Sequence, residues 1–313
     1  MTREQYAEML KELGRIRREG GDTAVYLEKI RKQYKYVYVY NDSIFKILFG
    51  QPEGMLATAQ LLNAVLKLDG AQCITELKFV DPAVQGGPGI KGITSDVVAD
   101  DQKGDRIVLE VQHVGGSLFK NRLVFYVARH TSRLIPPGED KYIMPSLNLV
   151  SLQMFDAYPE SGNYRHTIQL RNQESSLFTD RQTLTLVEVE KFRKERFEGD
   201  HCALAEWLRF LDAINNETVG EVSDPLLKGL QNRAKLSNFS DRYFMAEEER
   251  MTDIGYEIAV AKEEAAKEAA AEAAAKAADD KNRQLAKGFR DDGVSMEIIA
   301  KRTGLTKEEI LAL

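Results

Sequence analysis

Two apolar runs joined by a short polar turn constrain this chain more than any other feature. They lie in GITSDVVADDQKGDRIVLEVQHV (92–114), which reads as two strands connected by a tight turn containing Gly104. With 101–105 as the loop, Val97 pairs with Leu109, Ala99 with Ile107 and Asp100 with Arg106. Asp96 then falls directly opposite Glu110. Opposed residues on one sheet face have Cβ atoms about 4.5–5.5 Å apart, near enough for both carboxylates to ligate one cation. Two like charges so placed repel each other unless something positive lies between them.

The alternation of side chains sharpens the reading. Ile107, Leu109 and Val111 point one way, into a core, while Val108, Glu110 and Gln112 point the other. A strand carrying acids on one face either leaves that face in water or uses it. Hard divalent ions such as Mg²⁺ take oxygen ligands and keep several waters, so one or two carboxylates plus substrate phosphate is their usual protein site. Gln112 shares the face of Glu110, where its amide can hold an attacking water or a phosphate oxygen. A solvated hairpin with acids on its wet face satisfies the same spacing, so the spacing leaves both readings open.

The run of Asp, turn, then Glu-x-Gln resembles the PD-(D/E)XK nuclease core in its Glu-x-Gln version. More narrowly, the chain resembles the Rpn family of recombination-promoting nucleases, also described as transposases of the PD-(D/E)XK type. Five segments carry the likeness in the expected order: NDSIFKILFG (41–50), SDVVADDQKGDRIVLEVQ (95–112), FKNRLVFYVARH (119–130), LVEVEKF (186–192) and MEIIAKRTGLTKEEILAL (296–313). The likeness runs over nearly all of the chain from residue 41 and leaves the first 40 residues outside.

The resemblance implies an α/β fold, a mixed central sheet flanked by helices with the hairpin at its centre and a helical extension at the C-terminus. It implies Mg²⁺-dependent (or Mn²⁺-dependent) hydrolysis of DNA, with a role in DNA breakage and recombination or in mobile elements. Asp96 and Glu110 then bind the metal with the Val111 carbonyl, Gln112 orients the water, and Arg122 and Tyr126 meet the phosphate. The superfamily's usual lysine is Gln112 here, a neutral side chain that offers no charge to a hydroxide. A non-catalytic DNA-binding or assembly protein that keeps a nuclease fold is the rival reading, and RNA as the substrate stays open.

Composition sets outer bounds. Hydrophobic residues make up 43% and charged residues 29% of the 313 positions, as in ordinary globular proteins. No run approaches the roughly 20 apolar residues of a membrane span, and the charged N-terminus lacks a secretory core. Cys73 and Cys202 have no paired spacing, so a cytoplasmic protein is expected. A net charge of −6 weighs against indiscriminate polyanion binding. Basic residues nevertheless cluster at Arg15, Arg17 and Arg18, at Lys29, Arg31, Lys32 and Lys35, and in KFRKER (191–196), which allows a nucleic-acid groove.

Four regions are expected: a helical and extended segment (1–40), the nuclease-like domain (41–240), a long Ala/Glu/Lys-rich helix (241–288) and a small helical unit (289–313). The terminal segments offer surfaces for a homo-oligomer. Tyr34, Tyr36, Tyr38 and Tyr40 alternate onto one face of any extended segment, as a platform for bases or, in the plainer reading, as sheet or oligomer packing. Asp42 or Ser43 caps a helix in which Phe45, Leu48 and Phe49 are core anchors; Asp42 and Lys46, one turn apart, form an ion pair or an accessory metal and phosphate contact. Pro52 opens a second helix with Leu56, Ala59, Leu62 and Val65 buried. Lys91 can reach a phosphate or simply be solvated. On the helix 117–134, Phe119, Arg122, Tyr126, Arg129 and Arg133 form one stripe, a phosphate clamp or a surface row. Strands are expected at 74–80, 146–155, 164–172 and 183–192, and a helix capped by Asp200 carries Trp207. His113 is set aside as a catalytic base, because alternation turns it away from Gln112. Thr306 and Glu309 form a capping box.

Overall fold

The computed structural model describes residues 1–86, 89, 91–116, 118–135, 138, 141–195, 198–251, 276 and 281–313. Two compact units result, Met1–Glu247 and Glu248–Leu313. The first is built on a six-stranded mixed sheet. Its strands are β1 (Leu77–Phe79), β4 (Val97–Asp101), β5 (Arg106–Gln112), β6 (Leu147–Gln153), β7 (Arg165–Gln169) and β8 (Gln182–Glu188), in the order β1-β4-β5-β6-β8-β7. The three central strands β5, β6 and β8 are parallel, and the pairs toward both edges are antiparallel. A separate two-stranded ribbon joins β2 (Ala83–Val84) to β3 (Ile93–Thr94).

The β4–β5 register agrees with the sequence, pairing Val97 with Leu109, Val98 with Val108, Ala99 with Ile107 and Asp100 with Arg106. The turn is shaped by Asp101, whose Oδ1 accepts from the amides of Lys103 (2.8 Å) and Asp105 (2.9 Å). Gly104 takes φ +82°, a left-handed conformation that side chains resist. Arg106 closes the hairpin with a two-pronged contact to Asp100.

Both sheet faces are covered, as parallel strands require. Ile107, Leu109, Val111, Val150, Leu152 and Val187 face a large core. It is built with α1 (Arg3–Arg18), α2 (Thr23–Gln33), α3 (Asp42–Phe49), α4 (Met55–Leu66), α6 (Val189–Glu195), α7 (Ala203–Asn215) and α8 (Pro225–Arg233). Val98, Val108, Leu149 and Leu186 face the other way, under Phe119, Leu123 and Val127 of α5 (Phe119–Thr131). The alternation of β5 therefore divides two cores rather than a core from water.

Local chemistry moves several expected elements. Asn41, not Asp42 or Ser43, caps α3: its backbone is extended and its side chain accepts from the Ile44 amide. That leaves Asp42 inside the first turn. Pro52 belongs to a single 3-10 turn, Pro52–Gly54, and Leu56 is 61% exposed at the start of α4. The tyrosine segment is no strand. Tyr36 makes one bridge, to Lys235, and Tyr36, Tyr38 and Tyr40 are buried, so they serve packing rather than base stacking. The expected strand 183–192 stops at Glu188 and continues as α6. Asp200 accepts from the Cys202 amide, but Cys202 is the N-cap of α7, so Asp200 lies two residues before the cap position it was expected to hold. Trp207 is buried as expected.

In the second unit, residues 281–291 are helical, and Met296–Thr303 and Lys307–Leu311 form two short helices. Ala286, Ile299, Leu305 and Ile310 make their shared core, and the Thr306–Glu309 capping box is present. The long Ala/Glu/Lys-rich helix expected over 241–288 falls largely outside the described residues.

Candidate active site

Three elements converge where the hairpin meets α3 and α5. Asp96 directly precedes β4, and its Oδ2 accepts from the Val111 amide of β5 at 2.8 Å. This bond fixes one carboxylate against the neighbouring strand. Glu110, on the same face, is only 3% exposed. Its Oε2 accepts from Gln112 Nε2 at 3.1 Å. Its Oε1 is buried and accepts no hydrogen bond of ordinary geometry among the described residues, although Ser95 lies close enough to favour the charged form.

Helix α3 supplies the positive charge. Gly50 at its C-cap lies so close to the hairpin that a Cβ there would meet Val97 Cγ2 at 3.2 Å. This close approach carries Lys46, one turn earlier, to 3.3 Å from Asp96 Oδ1. Helix α5 supplies a second cation: Arg122 donates to Gln112 Oε1. The amide of Gln112 is thereby oriented as a relay, with its oxygen toward Arg122 and its nitrogen toward Glu110.

The electrostatics follow from burial. Loss of solvation, then the neighbouring Asp96 charge, pushes the Glu110 carboxyl up to about 8, against partial relief from Ser95 and Lys46. Asp96 is also raised, by burial first and by Asp42 second, with the Val111 amide and Lys46 opposing. Tyr126, half-buried on α5, has its hydroxyl pKa raised by burial and then by Glu110. Two carboxylates this dry favour a proton or a cation between them. Among the described residues no group of three His, Cys, Asp or Glu side chains is arranged to hold a metal. A site of two carboxylates suits a hard ion that retains water, and the unengaged Glu110 oxygen fits one.

The structure thus brings together Asp96, Glu110, Val111, Gln112, Lys46, Arg122, Tyr126 and, through its field, Asp42. Val111 makes its contact to Asp96 through the amide. Lys91 is exposed in the loop before β3, with no ion pair among the described residues. Arg129 donates to the Gln85 carbonyl at 2.7 Å and so secures a neighbouring loop. His113 turns away from Gln112, as alternation requires. It lies 2.7 Å from the Tyr40 carbonyl and 3.4 Å from Asp42 Oδ1. Its tie to Asp42 was missed in the sequence, because nothing local relates residues 42 and 113.

The basic clusters are largely engaged within the molecule. Arg15 pairs with Glu12 and Glu19, Lys32 with Glu28, Arg31 with Asp241, Lys191 with Glu188, and Arg193 with Glu190 and Asp212. No helix among the described residues is long and apolar enough to cross a membrane.

A mixed sheet with a carboxylate-bearing hairpin at its centre and helices on both faces defines a nuclease-like α/β protein. The family model of the PD-(D/E)XK nuclease family transposases matches residues 39–287, and the chain belongs to that family. Comparison with curated proteins and with solved structures gives no match.

Proposed function

We propose that the protein is a metal-dependent DNA endonuclease that opens phosphodiester bonds in recombination or in the movement of mobile elements. One observation carries the reading: the buried Glu110 carboxylate lies beside Asp96, has an oxygen with no hydrogen bond of ordinary geometry among the described residues, and has a pKa pushed up to about 8. A carboxylate so perturbed by burial and a charged neighbour is a functional-site candidate. Membership of the transposase family supports nuclease chemistry on DNA.

Asp96 and Glu110, with the Val111 carbonyl, are the residues to hold Mg²⁺ or Mn²⁺. When bound, such an ion polarises the phosphate and lowers the pKa of its water. Gln112 fixes Glu110 through one amide hydrogen and has a second for the attacking water. Lys46 supplies the ammonium that Gln112 lacks: it neutralises Asp96 in the free protein and is within reach of the same water or a phosphate oxygen. Arg122, exposed and anchored on Gln112, offsets charge developing on the phosphate. Tyr126 offers its hydroxyl to the same group, Asp42 tunes Asp96 through space, and Lys91 is a backbone contact further out.

The test is incubation of supercoiled plasmid with Mg²⁺ or Mn²⁺. Nicking is expected from the wild type and is expected to vanish with EDTA and in Glu110→Ala and Asp96→Asn. A wild type that shifts DNA on a gel yet never nicks it would instead make the chain a binding protein on a nuclease fold.

A further inference from the structure

The face of the sheet that carries Glu110 holds more unengaged polarity than the carboxylates account for. Strand β6 runs parallel to β5 with Ser151 beside Glu110 and Gln153 beside Gln112. In-register neighbours on adjoining strands share a face, about 4.8 Å apart. Ser151 and Gln153 are both wholly buried. The Ser151 hydroxyl and both polar atoms of the Gln153 amide make no hydrogen bond among the described residues. A buried polar group left unpaired keeps its desolvation penalty, and apolar side chains of similar size would avoid it. The rest of this face shows the alternative, since Leu149 and Leu186 lie in the same layer and pack under α5.

These residues pair in register with Glu110 and Gln112, and Glu110 Oε1 is itself buried with no hydrogen bond of ordinary geometry among the described residues. Ser151 is the hydroxyl nearest to it in register. Gln153 backs Gln112, whose own oxygen is occupied by Arg122 and whose nitrogen holds Glu110 Oε2. A hydroxyl and an amide in this row can brace both halves of the Glu110–Gln112 unit from the next strand.

We propose that Ser151 and Gln153 are positioning residues of the nuclease site, which orient the Glu110 carboxylate for a divalent cation from the strand behind it. They touch neither DNA nor the reacting phosphate and act through Glu110 and Gln112. Groups that hydrogen-bond to metal ligands typically change affinity or activity by about 10–100-fold when removed, and these two stand beside Glu110 and Gln112 in register with no bond of their own among the described residues. The inference rests on the metal-dependent reading of the site, and its test separates the two.

Mn²⁺ binding to the full chain is titrated by the electron paramagnetic resonance signal of the free ion, with thermal melting in EDTA alongside. Ser151→Ala and Gln153→Met are expected to weaken Mn²⁺ by roughly 10-fold or more. Their melting temperatures without metal should hold or rise, because an unpaired buried polar group has been removed. Ser151→Thr, which keeps the hydroxyl, should restore binding, and plasmid nicking should follow the Mn²⁺ occupancy. Variants that melt as expected but bind Mn²⁺ within about twofold of wild type would overturn the positioning role. Weakened Mn²⁺ in both variants with a wild type that never nicks DNA would uphold it while removing catalysis. A wild type that binds no Mn²⁺ would end both readings.

Discussion

Two glutamates lie on the same face of the sheet, near the carboxyl ends of parallel strands, and their surroundings are opposite. Glu188, at the end of β8, is wholly buried. Its Oε1 accepts from the amides of Ala157 and Tyr158, and its Oε2 from Lys191 at 2.6 Å and His166 at 3.1 Å. Burial raises its pKa, but hydrogen bonds from Lys191, the Tyr158 amide, His166 and the Ala157 amide together hold it below the usual carboxylate range. Glu110 is nearly as buried, yet a like-charged neighbour and burial outweigh the relief from Ser95 and Lys46, and its pKa is raised to about 8. Saturation marks the first as a structural pin that ties β7, β8, α6 and the segment after β6. The second carboxylate lacks that saturation. Burial alone does not distinguish them; the donors around each do.

Breaking the pin should give the largest effect. Lys191 is buried and also donates to the Tyr158 carbonyl at 2.5 Å. Lys191→Met leaves an uncompensated buried charge, so a loss of about 3–5 kcal/mol is expected from urea unfolding. A loss under about 1 kcal/mol would mean that Glu188 is no better held than Glu110, and the contrast would collapse.

Glu110 should respond with the opposite sign. The folded protein holds the Glu110 proton up to about pH 8, whereas the ordinary value is 4.5. Between these limits the folded state binds more protons than the unfolded one, so stability falls as pH rises. This contribution is fully present below about 4.5 and lost once pH passes about 8. In metal-free buffer the wild type should therefore lose up to about 1.4 kcal/mol per pH unit in that window, relative to Glu110→Gln. At pH 7.5 Glu110→Gln should be the more stable protein by a few kcal/mol, while failing to nick DNA. Added Mg²⁺ should stabilise the wild type and not the variant. Parallel pH curves for the two proteins would show that Glu110 is not strained.

Much of this contrast was legible in the sequence on one side and almost none of it on the other. The hairpin register, and with it the facing of Asp96 and Glu110, follows from period-2 alternation and a five-residue turn around Gly104. Those are local signals, and the β4–β5 pairing matches them residue for residue. The cation partners were harder. Asp42 and Lys46 look like an i,i+4 pair on one helix, yet Lys46 reaches Asp96 and Asp42 lies beside His113. The close packing of Gly50 on Val97 sets that geometry, and no periodicity encodes it. In LVEVEKF the alternation reads as strand through Phe192, because nothing local announces that Glu188 is satisfied by residues 157, 158, 166 and 191 and that the chain turns into α6 there. Ser151 and Gln153 sit inside an apolar strand as unremarkable polar positions. Their meaning appears only when parallel pairing sets them beside Glu110 and Gln112.

A smaller test removes one donor from the pin. His166 stacks on Tyr158 with ring centroids 4.6 Å apart and gives Glu188 one of its four hydrogen bonds. His166→Phe keeps the ring and loses the donor. The expected cost is about 1–2 kcal/mol by urea unfolding, well short of that for Lys191→Met, because three donors remain.

The smallest change in stability is expected at Gln112, and its pH dependence makes it informative. Gln112→Leu removes the amide donor to Glu110 Oε2 and frees Arg122, which is exposed and regains water. At pH 6 Glu110 is protonated in the folded state, and a hydrogen bond to a neutral group is worth about 1 kcal/mol or less. Urea unfolding at pH 6 should thus scarcely separate the variant from wild type. At pH 9 the carboxylate is charged, and hydrogen bonds to charged groups contribute about 1.5–3 kcal/mol, so the gap should widen and the Glu110 titration should move further up. An equal gap at both pH values would mean that Gln112 does not serve the charged form of Glu110. The relay from Arg122 through Gln112 would then be packing rather than part of the site.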